Sequence, residues 1–124
     1  MKLLICGGAD FGNRIEEALF IRQVLGALHK EHTVHEVVVG DLLGTCVHAV
    51  NWSGDNAMPT SIYTGDWNRY GSAAAGRCNA KMLEENDDIG MVVAFPGGSD
   101  VADMVRKALI KGVKVYAPVM KGRE

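Results

Sequence analysis

The chain has few of the residues that build cross-linked frameworks and lacks the long apolar runs of membrane proteins. Of its 124 residues only three are cysteines, Cys6, Cys46 and Cys78, and they form no Cys-x-x-Cys pair. An odd number of widely spaced cysteines argues against a disulfide framework or a zinc knuckle and predicts reduced thiols in the cytoplasm. No apolar run approaches the roughly 20 residues of a membrane span, and the apolar start is too short for a signal-peptide core. We therefore expect a cytoplasmic protein with no membrane partner.

Charge of one sign is also scarce. Thirteen lysines and arginines face fifteen acidic residues, the formal net charge is −2, and no block of like charge occurs. A protein that coats a duplex needs many cations against the phosphates, so we do not expect nucleic-acid binding. A small anionic ligand, held by backbone amides and a few arginines, remains compatible with this balance.

Histidine is too scattered to predict a metal site. His29, His32 and His35 are closely spaced, but the predicted structure changes from helix to strand across them. We expect structural roles for these three, whereas His48 lies where it could face a pocket. No metal and no cofactor are predicted.

Glycine is plentiful, with fifteen residues, and several of them follow predicted strands. The apolar run 91–95 stops at Pro96-Gly97-Gly98, and the pair Ser99-Asp100 that follows is typical of a helix start. The apolar run 3–6 likewise leads into Gly7-Gly8-Ala9-Asp10. Backbone amides in such loops can close on an anion. The alternative is that the glycines only make tight strand-to-helix turns and that Ser99 and Asp100 only cap a helix.

Strand-like and helix-like segments alternate along the whole chain. The predicted strands are residues 2–6, 34–39, 61–64, 89–95 and 113–116, and the predicted helices are about 13–30, 45–52, 72–85 and 101–110. This alternation predicts a single α/β domain over residues 1–124, a Rossmann-like three-layer sandwich with a mainly parallel five-stranded sheet. In a Rossmann-type order the first and fourth strands are neighbours, and ligands bind outside their carboxyl ends. The two glycine loops would therefore face each other.

Motifs along the chain resemble one known family. They are Gly7-Gly8 with Asp10, Gly40 with Gly44, Trp52, Gly65-Asp66-Trp67, the segment 74–79, and the segment 92–98 with 102–105. In this order they resemble the YspA-like branch of the SLOG superfamily, which gathers Rossmann-like domains related to the LOG phosphoribohydrolases and the Smf/DprA proteins. The resemblance implies a SLOG-type domain that binds a nucleotide or a nucleotide-derived small molecule across its glycine loops.

The chain departs from the family's enzymes at the residues that carry catalysis. The LOG pattern P-G-G-x-G-T-x-x-E ends in a catalytic glutamate, and here that position is Met104, with Asp103 one residue earlier. One step along a helix is a rotation of about 100°, so the Asp103 carboxylate should point elsewhere. We therefore expect a sensor, carrier or sequestering protein without catalysis. The alternative is a nucleoside-monophosphate phosphoribohydrolase-like N-glycosidase with altered acids, Asp103 and Asp100.

Eleven residues form the predicted ligand-binding set. Arg77 could clamp a phosphate through its planar guanidinium, and Asp10 could accept from a ribose or a base, although either could equally be a solvated surface residue. Trp67 could stack on a base or merely pack. The set is Gly7, Gly8, Asp10, Gly40, Arg77, Asn79, Pro96, Gly97, Gly98, Ser99 and Asp100.

The segment after the predicted second strand is more apolar than a short surface segment requires. It carries Leu42, Leu43, Val47, Val50 and Trp52. We expect this region to pack against another subunit, as a homodimer or a higher homo-oligomer, with the pocket near that interface.

Overall fold

The computed structural model describes residues 1–121, and strands and helices alternate along them. The strands are β1 (Lys2–Cys6), β2 (Glu36–Val39), β3 (Thr60–Ile62), β4 (Ile89–Ala94) and β5 (Val115–Tyr116). The helices are α1 (Ile15–His32), α2 (Thr45–Asp55), α3 (Trp67–Tyr70), α4 (Ala74–Glu85) and α5 (Ser99–Lys111), and a 3-10 turn, Gly71–Ala73, joins α3 to α4.

All five strands belong to one sheet in the order β3-β2-β1-β4-β5, and every neighbouring pair is parallel. The predicted Rossmann-like α/β sandwich with a parallel five-stranded sheet is therefore confirmed. Strand β1 lies between β2 and β4, so the loops that leave these three strands meet at one edge of the sheet. This position is the topological switch point of the fold.

Helices cover both faces of the sheet, and successive side chains of a strand point to opposite faces. Leu3 and Ile5 pack on the face covered by α1 and α2, whereas Leu4 packs on the face covered by α4 and α5. All three side chains are fully buried. Burial of each such side chain contributes about 1.5–3 kcal/mol, so the central strand anchors both layers.

The structure differs from the sequence-based prediction at the beginning of α5 and in the loop 65–70. Helix α5 begins at Ser99, its N-cap is Gly98, and no side chain caps it. The capping alternative for Ser99 and Asp100 is therefore wrong. The predicted loop 65–70 contains the short helix α3, which Asp66 caps by accepting from the Arg69 N–H at 3.1 Å.

No helix between residues 1 and 121 combines the length and the apolar character that crossing a membrane requires.

Candidate functional site

A cavity of about 120 Å³ opens at the carboxyl edge of the sheet, between the loops that follow β1, β2 and β4. Helix α4 and the beginning of α3 form its far wall. The lining comprises Cys6, Gly7, Ala9, Gly40, Asp41, Leu43, Cys46, Trp67, Ala75, Cys78, Asn79, Met82, Asp100 and Val101. Sheets of this kind bind ligands at this place.

The two glycine loops touch each other directly. The Gly8 N–H donates to the Pro96 carbonyl at 2.9 Å, and the Phe95 N–H donates to the Cys6 carbonyl at 2.9 Å. A Cβ on Gly97 would lie 2.7 Å from the Gly8 nitrogen, so only glycine permits this approach. The predicted adjacency of the loops is confirmed, but the amide expected to bind a ligand at Gly8 is already bonded to Pro96.

Thr45, which sequence reasoning did not single out, ties the loop after β2 to the loop after β1. Its hydroxyl donates to the Phe11 carbonyl at 3.1 Å and to the Gly8 carbonyl at 3.3 Å. A Cβ on Gly7 would lie 2.6 Å from the Thr45 Cβ, so Gly7 is needed for this packing. The backbone segments that follow β1 and β2 are therefore packed closely together and form the floor of the cavity.

Asp41 organises the outer wall of the cavity. Its carboxylate accepts from the Gly65 N–H at 3.0 Å and from the Trp67 indole Nε1–H at 3.1 Å. These bonds hold the beginning of α3 beside the cavity, where the half-exposed Trp67 ring forms part of the lining. Asp66, the neighbour of Trp67 in the motif Gly65-Asp66-Trp67, caps α3 by accepting from the Arg69 N–H.

Asn79 and Asp103 join α4 to α5. The Asn79 Nδ2 donates to the Asp103 carboxylate at 3.1 Å and to the Asp100 carbonyl at 3.0 Å. Asp103 also pairs with Lys107 at 2.8 Å and with Arg106 at 2.6 Å. Partial burial pushes the pKa of Asp103 upward, but the hydrogen bonds from Lys107 and Asn79 and the charges of both cations outweigh it and lower the pKa. Asp103 is thus ionised and paired at neutral pH, with no proton to donate.

Met104, at the position that the LOG pattern would give to a glutamate, is fully buried in the core between the sheet and the α4–α5 layer. Its side chain packs and does not line the cavity.

Among residues 1–121, the charged groups that line the cavity are all negative. Asp41 and the exposed Asp100 supply two carboxylates, and no lysine or arginine of the described residues lines the cavity. Asp100 lies in the first turn of α5, where the helix dipole favours an anion. A phosphate placed inside the cavity would be repelled by both carboxylates.

A larger open groove of about 890 Å³ adjoins the cavity at Asp100. Arg77 is its free cation: the guanidinium carbon lies 4.2 Å from the centroid of the Tyr70 ring, and no acidic group among residues 1–121 lies within ion-pair distance. The groove is lined by Ser72, Ala73, Gly76, Arg77, Ala80, Ser99, Asp100, Ala102, Asp103, Arg106 and Lys107.

All three cysteines of the chain line the cavity. Burial raises the pKa of the Cys6 thiol to about 12 and that of the Cys46 thiol to about 11, and it also raises the pKa of Cys78. Few thiolates therefore exist at neutral pH, and the thiols act as small apolar groups. The sequence contained one indication that cysteines line the cavity, because Cys6 ends β1 and Cys46 follows β2 closely.

The predicted ligand-binding residues are divided among separate recesses. Gly7, Gly40, Asn79 and Asp100 line the cavity, and Arg77, Ser99 and again Asp100 line the groove. Asp10 is exposed and lines neither. Pro96, Gly97 and Gly98 line a third, apolar groove on the side of α5 that faces residues 117–119.

Two of the four histidines, His29 and His48, form hydrogen bonds with the backbone. His48 Nε2 lies 2.7 Å from the Gly12 carbonyl, and His29 Nδ1 accepts from the Val34 N–H at 3.0 Å. Within residues 1–121, no three histidine, cysteine or acidic side chains are grouped closely enough to hold a metal ion.

Comparison of the chain with protein-family models, with curated proteins and with solved structures finds no match. The likeness to the SLOG superfamily therefore rests on the motifs alone and stays a prediction.

Proposed function

We propose that this protein binds a nucleotide or a nucleotide-derived small molecule at the carboxyl edge of its sheet and does not hydrolyse it. The observation that carries the proposal is the cavity at the switch point together with the groove that adjoins it at Asp100. Their linings join hydrogen-bonding groups and an aromatic ring to an unpaired arginine. A nucleotide offers matching parts, because its base and ribose are uncharged and its phosphate is an anion.

The acidic groups favour binding over turnover. Cleavage of an N-glycosidic bond by two carboxyl groups needs one that protonates the leaving group and one that acts on the other side of the sugar. Asp103 is ionised and held by two cations, and Asp41 is held by Gly65 and Trp67. Only Asp100 remains as an exposed carboxylate in the cavity lining, which leaves the second role unfilled. The protein would act as a sensor, a carrier or a sequestering protein.

We also propose that the protein forms a homo-oligomer through the surface next to the cavity. Leu42, Leu43 and Val47 are exposed there, and Leu43 also lines the cavity. The expectation that Trp52 shares this surface is wrong, because Trp52 is buried in the core, whereas Val50 is partly buried against that core. A partner on the three exposed side chains would border the ligand.

Calorimetry against the nucleoside monophosphates, ADP-ribose and cyclic nucleotides tests the ligand proposal. We expect at least one of them to bind and none to release a free base in a chromatographic assay. If the folded protein binds none of these compounds, the proposal is contradicted. Base release that disappears in Asp100→Asn or Asp103→Asn would establish the N-glycosidase instead.

A cavity-filling variant adds a structural control to that panel. A Cβ on Gly40 meets nothing closer than 3.5 Å, so Gly40→Leu can fold and places its side chain at the cavity. A Cβ on Gly26 in α1 meets nothing within 4 Å, so Gly26→Leu is the matched control on the surface. We expect Gly40→Leu to lose binding and Gly26→Leu to keep it.

A further inference from the structure

The sign of the lining charge changes from the cavity to the groove, and we infer from this how the ligand lies. Given the proposed function, the nucleotide spans Asp100, with its base or ribose in the cavity and its phosphate in the groove against Arg77. The inference concerns the orientation of the ligand, so it can fail while the proposed function holds.

The volumes of the cavity and the groove indicate that the ligand occupies both. The cavity holds about 120 Å³, whereas pockets that enclose a whole small-molecule ligand measure roughly 300–1,000 Å³. It is therefore large enough for one part of a nucleotide only. The open groove, at about 890 Å³, has room for the remainder, and Asp100 belongs to both linings.

The charged side chains of the cavity are hydrogen-bond acceptors. Asp41, whose oxygens already accept from Gly65 and Trp67, and the exposed Asp100 present carboxylate oxygens with further lone pairs, and both Nδ2 hydrogens of Asn79 are already donated to groups of α5. Such a lining suits ligand groups that donate hydrogen bonds, namely the amino group of a base and the hydroxyls of a ribose. The Trp67 ring in the same lining offers a surface on which a base can stack. The lining disfavours a phosphate, which only accepts at neutral pH.

The groove offers one cation, Arg77, that pairs with no acidic group among residues 1–121. Arg106 and Lys107 are both paired with Asp103, and Lys107 also donates to the Gly76 carbonyl at 2.8 Å. Arg77, by contrast, lies over the Tyr70 ring and has no ion-pair partner among residues 1–121; besides this groove it lines a neighbouring recess that Tyr70 and Lys81 also line. A planar guanidinium fixed in this way can bind two phosphate oxygens at once. The exposed Ser72 and Ser99 supply hydroxyl donors along the same groove.

Amide NMR spectra distinguish binding in the cavity from binding in the groove. The probes are pyrophosphate, the four common ribonucleosides and their 5′-monophosphates. We expect a nucleoside to shift the amides of Gly7, Gly40 and Gly65 and the Trp67 indole signal, and pyrophosphate to shift those of Gly76 and Ser99. The matching monophosphate should shift both groups.

Affinities for an Arg77→Gln variant then test the assignment of the phosphate. We expect it to bind the monophosphate about 10-fold or more weakly while binding the nucleoside unchanged, because a charge-assisted pair is lost. Arg22→Gln is the matched control, since Arg22 pairs with Asp55 on the opposite face of the sheet. It should bind both probes as the unaltered protein does.

The outcomes distinguish the two proposals. If Arg77→Gln weakens the nucleoside and the monophosphate equally or not at all, or if pyrophosphate shifts the cavity amides, the orientation is overturned and the proposed function stands. If none of the nucleosides, the monophosphates, ADP-ribose and the cyclic nucleotides shifts any amide, the proposed function fails as well, whatever pyrophosphate does.

Discussion

Asp103 is the residue whose ionisation the structure controls most directly. Its partners on α4 and α5 lower its pKa below the ordinary 3.8, so its stabilising contribution is complete above that value and is lost as the pH falls through the folded-state pKa. We expect Asp103→Asn to lower the free energy of unfolding by about 1–2 kcal/mol at pH 7, because two cations and the Asn79 amide lose an ionised partner. The deficit should shrink at pH 3.

Urea unfolding at both pH values measures this effect. Asp10→Asn is the matched control, since Asp10 is exposed and has no hydrogen bond or ion pair in the described structure, and it should change stability little at either pH. Equal deficits for the two variants at pH 7 would show that the Asp103 pairs contribute nothing.

The cavity thiols give a second prediction at this scale. The pKa of Cys46 rises from 9.0 to about 11, which lowers its thiolate fraction about 100-fold near neutral pH. With iodoacetamide at pH 8 we expect the partly exposed Cys78 to react first and Cys6 and Cys46 to react far more slowly than in the unfolded chain. Mass spectrometry of each site, with a sample in urea as reference, follows the rates. Raising the pH to 10 should speed the reaction of Cys46.

Elements with a continuous apolar pattern could be predicted from the sequence, whereas their ends depended on contacts. Strands β1 and β4 lie close to the predicted runs because they are central and buried on both faces. Strand β5 has two residues instead of the predicted four, because the Val113 N–H donates to the Ala108 carbonyl at the end of α5. Helix α3 has four residues, too few for a periodic pattern to appear.

The loop between β4 and α5 permits a test with two adjacent glycines. A Cβ on Gly97 would lie 2.7 Å from the Gly8 nitrogen and 3.0 Å from the Gly8 Cα, whereas a Cβ on Gly98 meets nothing within 4 Å. We expect Gly97→Ala to lower the free energy of unfolding by about 1–3 kcal/mol, because the two loops must move apart. Gly98→Ala should cost less, at most about 1 kcal/mol, which is the loss expected when alanine replaces a favoured residue at a helix N-cap. Denaturant curves for both variants measure the difference, and equal stabilities would contradict the close contact of the loops.

At the scale of the whole molecule, the position of the site could be predicted from the sequence, but its division into a cavity and a groove could not. The alternation of elements predicts a parallel sheet, and the Rossmann-type order assumed for it, which the structure has, places the loops of β1, β2 and β4 together. Which recess each side chain enters depends on the phase of its helix. Arg77 and Asn79 are two residues apart on α4, a rotation of about 200°, so one faces the groove and the other the cavity. A motif match carries no such directional information.

Self-association is the prediction that involves the whole surface. Single exposed apolar side chains are ordinary, but Leu42, Leu43 and Val47 are exposed within one short segment, at 46%, 58% and 39%. We expect light scattering at micromolar concentration to give the mass of a dimer or a larger assembly, and Val47→Glu to give a monomer, because an unpaired carboxylate would be buried in the interface. Leu109→Glu is the control, since Leu109 is 60% exposed on α5, on the other face of the sheet. A monomeric unaltered protein would contradict the interface, and dissociation by Leu109→Glu alone would place it on α5, away from the exposed residues of the Leu42–Val47 segment.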